Sequence, residues 1–441
     1  MPNLAMLSLL TIATVGCERP FVDIATPDVT VVAPDLSAAT TMPQIELVVA
    51  ATSFRNVIRV SLNGVDMTRN PSTGNWMSSF QLSSGLNALI VEAFDVENVA
   101  SVDTLYALRL GISRLPSAPS LPTGRGGHTA TALANGSVII TGGAPTTDLA
   151  ATDDIIRYTA NPGVFSPATT RLSTPRVGHT ASLLPDGRIL FAGGSTHASL
   201  TNVQTLVESV EIFDPVTDAV IPLKFRGNPI RRAFHSADVR VVDGETIVDL
   251  YGGRGDIAYT PEPRLGIRSD IRSFHLKGDS LIALSPAIGG RLIGPTWGHT
   301  QTELNSAVPT PSRYLVVSAV FEPGFSDESV AVIDFNDPRG LVPRFVSLPS
   351  VGRNQHASVR LGAGLVGISG GRTSVGALTG SIEIYSDQAR RFFTIPLSNF
   401  EPVDRFAHRV SRIADGRILV TGGFDVAGNG ISTSEIIVIA L

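Results

Sequence analysis

Residues 125–143 read RGGHTATALANGSVIITGG, and residues 176–194 repeat the same frame as RVGHTASLLPDGRILFAGG. The frame consists of Arg, two residues, His, a short apolar run, an Asn-Gly or Asp-Gly turn, a second apolar run and Gly-Gly. It returns four more times before the C-terminus. A period of about 50 residues defines an architecture, so the rest of the chain is interpreted around this repeat.

Six of the eight histidines anchor the repeat, at spacings of 51 to 64 residues. They are His128, His179, His235, His299, His356 and His408. Arg stands three residues before five of them, at Arg125, Arg176, Arg232, Arg353 and Arg405. The fourth unit has Thr296 at this position and lacks the Gly-Gly pair. We interpret the Arg and His as structural residues that fix the junctions between units by hydrogen bonds.

Each unit carries strand signals. Asn-Gly and Asp-Gly suit tight hairpin turns between the first two strands. A third strand such as Val210-Glu-Ile-Phe213 and a short fourth one follow. Four antiparallel strands per unit predict a propeller blade. The last unit ends after its third strand, and we expect the spare segment Leu110–Pro116 to complete that blade, which would close the ring and cover its free edges.

Function tends to sit on long loops of a rigid scaffold. The turns between the first and second strands of each unit are mostly tight. The loops between the second and third strands are long and lie on one face of the predicted propeller, called here the long-loop face. These predicted loops are Ala144–Asp153, Ser195–Gln204, Arg254–Ser269, Phe321–Ser329, Arg372–Thr379 and Phe424–Thr433. Unit three supplies the candidate ligand-binding residues Arg254, Asp256, Tyr259, Glu262 and Arg264, in a loop expected to be exposed. The alternative is that these loops are tolerated insertions.

The Arg-x-x-His-x-Ala start, the Asp-Gly turn, the Gly-Gly pair and the Glu-x-Tyr/Phe strand resemble the kelch repeat. The resemblance covers residues 111–441 and implies a six-bladed kelch-type β-propeller. Kelch-like copper oxidases use a Cys–Tyr cross-link, but the one Cys of this chain, Cys17, lies outside the repeats. A six-bladed kelch family epimerises sialic acid, and no feature specific to it is present.

Residues 28–110 lack the repeat but alternate apolar and polar residues in about seven short runs, which predicts a β-sandwich. The series Val-x-Leu-Asn-Gly, Trp, Gly-x-Asn-x-Leu and Val-x-Ala-x-Asp resembles bacterial Ig-like domains and implies a spacer. We expect Trp76 to be a core anchor facing Phe80 and Leu89; the alternative is a sugar-stacking aromatic.

Leu4–Val15 is an apolar run of the length of a signal-peptide hydrophobic region. The small residue before Cys17 resembles a bacterial lipobox and implies that Cys17 carries lipid after processing of residues 1–17. Residues 18–27 read as a tether. The resemblance predicts an outer-membrane lipoprotein of the bacterial cell envelope; the alternative is plain secretion.

The net charge of −5 and the lack of a basic run argue against nucleic-acid binding. The six His occupy equivalent places around a ring rather than one centre, so we expect no metal site, and no cofactor motif is present. The leading hypothesis is a non-catalytic module that binds a protein or glycan at the cell surface. The alternatives are a carbohydrate-active enzyme, an epimerase or lyase with its site at the channel mouth, and a purely structural envelope role.

Overall fold

A computed structural model describes residues 26–116, 118–256, 265–284, 295–304, 313–322, 325–334, 344–362, 364–396, 402–413 and 416–441. These residues form strands, with a short 3-10 helix at Val203–Thr205. None of the helices they contain is long and apolar enough to cross a membrane. The chain divides into two compact units, one reaching Asp35 and continuing over Met42–Ala107, the other comprising Leu36–Thr41 and Leu108–Leu441.

The first unit contains two four-stranded sheets, ordered β1-β2-β6-β5 and β4-β3-β7-β8. Its strands are β1 (Asp28–Ala33), β2 (Gln44–Thr52), β3 (Val57–Leu62), β4 (Val65–Asp66), β5 (Thr68–Arg69), β6 (Trp76–Gln81), β7 (Gly85–Asp95) and β8 (Ala100–Arg109).

One face of β2 and one face of β7 in the first unit are buried. Along β7, Leu89, Val91 and Ala93 are fully buried while the residues between them are exposed or half-buried. This alternation follows the two-residue period of a strand. Trp76 is also buried, as expected for a core anchor.

The second unit holds the repeats. Its strands are β9 (Gly111–Arg114), β10 (Thr129–Ala132), β11 (Val138–Thr141), β12 (Ile155–Thr159), β13 (Val164–Pro167), β14 (Thr180–Leu183), β15 (Ile189–Ala192), β16 (Val210–Asp214), β17 (Ala219–Arg226), β18 (Arg232–Ala233), β19 (Ser236–Val242), β20 (Glu245–Tyr251), β21 (Arg254–Asp256), β22 (Leu265–Ile267), β23 (Ile271–Lys277), β24 (Ser280–Ala283), β25 (Thr300–Glu303), β26 (Arg313–Glu322), β27 (Phe325–Asp334), β28 (Arg344–Phe345), β29 (Ala357–Gly362), β30 (Leu365–Ser369), β31 (Ile382–Ser386), β32 (Arg391–Thr394), β33 (Arg409–Arg412), β34 (Ile418–Thr421) and β35 (Glu435–Ala440).

These strands pair as antiparallel groups of four, one group per repeat. The groups are β10 to β13, β14 to β17, β19-β20-β23-β24, β25 to β28, β29 to β32, and β33-β34-β35-β9. Parallel pairing of β17 with β24 joins the second and third groups into an eight-stranded sheet. The short strands β18, β21 and β22 form a separate small sheet beside the third group.

The spare segment does complete the last group. β9 pairs antiparallel with β35, with Gly111 opposite Ala440 and Arg114 opposite Ile437. The first strands of successive groups are neighbours in a cycle of β10, β14, β19, β25, β29, β33 and again β10. The second unit is therefore all-β and propeller-like, and its first and last residues share one sheet.

Residues Leu36–Thr41 belong to this second unit, although the sequence places them in the preceding domain. Thr40 donates its N–H to the carbonyl of Leu108 (2.9 Å) and accepts from the N–H of Leu110 (3.0 Å). Ala39 donates to the carbonyl of Thr394 at 2.8 Å. The segment thus forms hydrogen bonds with backbone groups beside β32 and before β9. No local sequence pattern reveals this pairing.

The prediction that Phe321–Ser329 is a loop is wrong. β26 and β27 are ten residues each, and their pairing continues to Glu322 opposite Phe325. Without a Gly-Gly pair to end the second strand, the fourth group extends as a hairpin.

The Gly-Gly pairs exist because a side chain has no room there. Gly193 and Gly194 have φ values of +62° and +96°, in the left-handed region that favours glycine. A Cβ on Gly193 would lie 2.5 Å from the carbonyl oxygen of Arg232 and 2.7 Å from the ring of His235, both in the next repeat. Each Gly-Gly pair is therefore the surface on which the next repeat packs.

We predict that Gly193→Ala destabilises the protein far more than Gly187→Ala. Gly187 also has a left-handed φ of +88°, but no atom lies within 4 Å of its added Cβ. The control should cost only the left-handed penalty of about 1–2 kcal/mol, whereas Gly193→Ala adds a backbone clash and should cost about 4 kcal/mol. Urea unfolding of both variants measures the difference, and equal costs would refute the packing argument.

Candidate functional site

The six repeat histidines each reach into the preceding repeat. Every His Nε2 lies within hydrogen-bond distance of a hydroxyl on the neighbouring group of strands. The pairs are His128 with Thr421 (2.9 Å), His179 with Thr141 (3.1 Å) and Thr129 (3.2 Å), His235 with Thr180 (3.2 Å), His299 with Ser236 (2.8 Å), His356 with Thr300 (2.7 Å) and His408 with Ser369 (3.0 Å). The first pair links the last repeat to the first, so the series closes.

The repeat arginines act mainly within their own repeat. Arg176 donates to the carbonyl of Gly193 (3.2 Å) and forms a buried ion pair with Glu211 (2.5 Å). The other four follow the same plan, with these acidic partners: Asp154 for Arg125, Asp270 for Arg232, Glu383 for Arg353 and Glu435 for Arg405. The hydrogen bonds and ion pairs of these arginine side chains therefore lie within one repeat.

The arginine backbone does bridge the junction between repeats. The second Gly of a pair donates its N–H to the carbonyl of the next repeat's Arg, as Gly143 does to Arg176 at 2.9 Å. In the fourth repeat Thr296 takes this role and accepts from Gly253 at 2.7 Å. Its hydroxyl contacts that of Ser318, which stands where the other repeats have the first Gly. The junction between the third and fourth repeats thus keeps its backbone hydrogen bond although Thr296 replaces the Arg.

A closed ring of backbone hydrogen bonds surrounds the central axis. It is formed by the residue immediately before each His, and each N–H donates to the preceding member at 2.6 to 2.8 Å. The members are Gly127, Gly178, Phe234, Gly298, Gln355 and Ala407, all with φ between +50° and +65°. This backbone ring narrows the channel. Because the first strands begin here and the second strands return here, the ring lies on the long-loop face.

Three side chains form a half-exposed cluster on this face. Phe234 and Trp297 meet edge to face with ring centroids 5.8 Å apart. The Arg254 guanidinium lies 5.4 Å from the Trp297 ring, within cation–π range. The Trp297 Nε1 has no hydrogen-bond partner among the described residues.

The Arg-Gly-Asp tripeptide is not an exposed loop. It is the strand β21, and Asp256 is only 7% exposed. Arg268 donates to the Asp256 carbonyl, and Arg231 lies 3.6 Å from its carboxylate. Because these two arginines cover Asp256, the prediction of an exposed loop is wrong. Tyr259, Glu262 and Arg264 lie outside the described residues, as does Cys17.

Sequence reasoning missed a carboxylate cluster between the third and fourth groups. The Tyr314 hydroxyl donates to Asp238 at 2.5 Å. Burial raises the pKa of Asp238 to about 6, although the Tyr314 hydrogen bond opposes the shift. Nearby, buried Asp249 accepts from Arg240 at 2.6 Å. Asp238 can therefore hold or release a proton near neutral pH, a property no sequence motif marks.

No group of three or more His, Cys, Asp or Glu side chains within the described ranges is arranged to hold a metal ion.

The fold class defined by this geometry is an all-β, propeller-like ring of antiparallel sheets. The solved structure of YjhT superposes on it with a TM-score of 0.54, over 74% of this chain and 99% of that chain, at 14% sequence identity. At this identity the likeness supports the fold alone. No protein-family model and no curated protein matches the chain.

We predict a steep loss of stability as the pH falls from about 6.5 to about 4. Burial lowers the pKa of His299 from 6.5 to about 4 and that of His356 to about 3. The unfolded chain therefore binds more protons than the folded one in this window, and the free energy of unfolding falls with decreasing pH. His299 alone should account for roughly 3 kcal/mol.

Denaturant unfolding of the wild type and His299→Gln across this pH range measures the effect. The variant should take up about one proton fewer on unfolding in the window. An unchanged pH slope would mean that His299 is already charged in the folded protein.

Proposed function

We propose that the chain is an exported, lipid-anchored bacterial surface protein that binds a protein or glycan ligand. The binding part is a six-bladed kelch propeller carried on an Ig-like β-sandwich. The kelch-like motifs, the six groups of four strands and the cyclic order of their first strands support the first element. The two four-stranded sheets of residues 28–109 support the second.

The half-exposed Phe234–Trp297–Arg254 cluster carries the proposal. Aromatic faces beside a guanidinium are enriched at interfaces because they supply contact area at low entropic cost and one cationic donor group. The Phe234 and Trp297 side chains are half-exposed, so their rings can contact a ligand. The cluster lies on the long-loop face. The loop lengths and the side-chain chemistry therefore indicate the same surface independently.

A carbohydrate-active enzyme is the second candidate function. It is favoured by Asp238, whose pKa of about 6 and hydrogen bond to Tyr314 suit general acid–base chemistry. Arg240 and Asp249 beside it add the charged groups expected of such a site.

We predict that Trp297→Ala weakens ligand binding at least tenfold, because it removes the central aromatic of the cluster. The full-length protein is tested on a glycan array and in pull-downs from envelope extracts. Arg254→Met, which keeps the packing of the aliphatic stem but removes the charge, should weaken binding as well.

Phe345→Ala is the matched control, since Phe345 is an exposed aromatic on the outermost strand of its group. Retained binding in Trp297→Ala would exclude this face. Sugar turnover followed by NMR, lost in Asp238→Asn but kept in Trp297→Ala, would establish the enzyme instead.

Anchoring is predicted to depend on Cys17. Cys17→Ser should move the protein from the membrane fraction to the soluble fraction, because the acyl chains can no longer be attached. Mass spectrometry of the wild-type N-terminus should show a lipid-modified Cys17. An unmodified mature N-terminus at another residue would contradict the anchor and leave plain secretion.

A further inference from the structure

The channel inside the backbone ring holds a polar cavity of about 210 Å³. The ring residues form its floor and the first strands of the six groups form its wall. Hydroxyls from several repeats line it, among them Thr129, Thr180, Ser236 and Thr300. With about 30 Å³ for each water in the liquid, the space equals roughly seven waters. It therefore suits a small polar ligand.

Arg409 is the one residue in this wall that breaks the repeat pattern. It directly follows His408, and the residues at the same position in the other five repeats are small. They are Thr129, Thr180, Ser236, Thr300 and Ala357. A long cationic side chain thus enters the cavity from the sixth repeat only.

Arg409 has no counter-charge among the described residues. Its Nη1 donates to the carbonyl of its neighbour His408 at 2.9 Å, and it forms no ion pair with any described residue. Burial lowers the pKa of Arg409 to about 10, and no carboxylate opposes the shift. Arg409 is half-buried, whereas the five repeat arginines are fully buried and each has an Asp or Glu partner. A charge that is partly removed from water without a counter-charge costs free energy, so its presence needs a reason.

The charge lies close to the axis. Besides burial, which is the main cause, the Arg409 charge lowers the pKa of His128, His179, His356 and His408. These histidines belong to four different repeats, and Arg409 lines the cavity together with residues from the first strands of the other groups. Because burial keeps all six histidines neutral, they do not add competing positive charge.

We propose that this cavity binds a small oxyanion, a carboxylate or phosphate group, on the Arg409 guanidinium. The planar guanidinium has N–H groups left for a two-point contact with an oxyanion. Wall hydroxyls can donate to the remaining oxygens because their hydrogens rotate. The ligand supplies the negative charge that the described structure lacks. This site is separate from the Trp297 surface, so either proposal can fail without the other.

Calorimetric titration of the full-length protein with sodium phosphate and with sodium acetate, at fixed ionic strength, tests the proposal. We expect saturable one-site binding of at least one of them, weakened at least tenfold in Arg409→Gln. Arg412→Gln removes the same charge from an exposed position on the same strand and should bind as the wild type does. Arg409→Gln should unfold at the same or a higher temperature without anion, since it loses a half-buried charge that has no ion-pair partner among the described residues.

Long-range ¹H–¹⁵N NMR of the histidine rings locates the anion in the wild type without relying on a variant. Titration should shift the signals of His179 and His356, which line the cavity and sense the Arg409 charge, more than those of His197 and His275, which lie outside it. Binding of phosphate alone or acetate alone would assign the ligand class. No saturable binding of either, binding retained in Arg409→Gln, or the largest shifts at His197 and His275 would overturn the proposal.

Discussion

The propeller-like unit depends on how one repeat seats on the Gly-Gly pair of the repeat before it. Both glycines are left-handed, the second donates its N–H to the next repeat's backbone, and the next His ring rests on the first. Each junction therefore requires a residue without a side chain, a carbonyl group that accepts the hydrogen bond and an uncharged imidazole ring. Because the repeats form a closed cycle, a displacement at one junction would be transmitted to the others. This explains why the third-to-fourth junction keeps the backbone bond from Gly253 to Thr296 although the fourth repeat lacks the Arg.

Local chemistry made this part of the fold predictable. Turn dipeptides, two-residue alternation and the spacing of His to Gly-Gly are all set within about 20 residues, and the closing strand follows from a missing fourth strand in the last repeat. Contacts between distant segments were not predictable in the same way. Leu36–Thr41 joins the second unit through ordinary backbone hydrogen bonds to Leu108, Leu110 and Thr394, which leave no residue signature. The burial of Asp256 likewise depends on Arg231 and Arg268, which approach from other elements.

The candidate site was predictable as a surface and not as a set of residues. Loop lengths selected the face, and Arg254 does lie there, but its partners Phe234 and Trp297 stand one and two residues, respectively, before a repeat histidine. Those positions belong to the repeat frame, where variation between Gly, Phe, Gln and Ala carries no obvious meaning. Only the backbone ring shows that they surround the axis, and therefore that a side chain placed there faces a ligand rather than the core.

The repeat frame also explains why its exceptions are informative. Five buried arginines have acidic partners, and the Nε2 of each of the six buried histidines meets a hydroxyl, whereas their Nδ1 atoms have no partner among the described residues. The charged side chains of the frame are thus paired. Arg409 replaces a small residue, costs desolvation and has no ion-pair partner among the described residues. A departure of this kind is expected at a functional position. A stabilising role cannot account for Arg409, because the smaller residues of the other repeats serve the ring equally well.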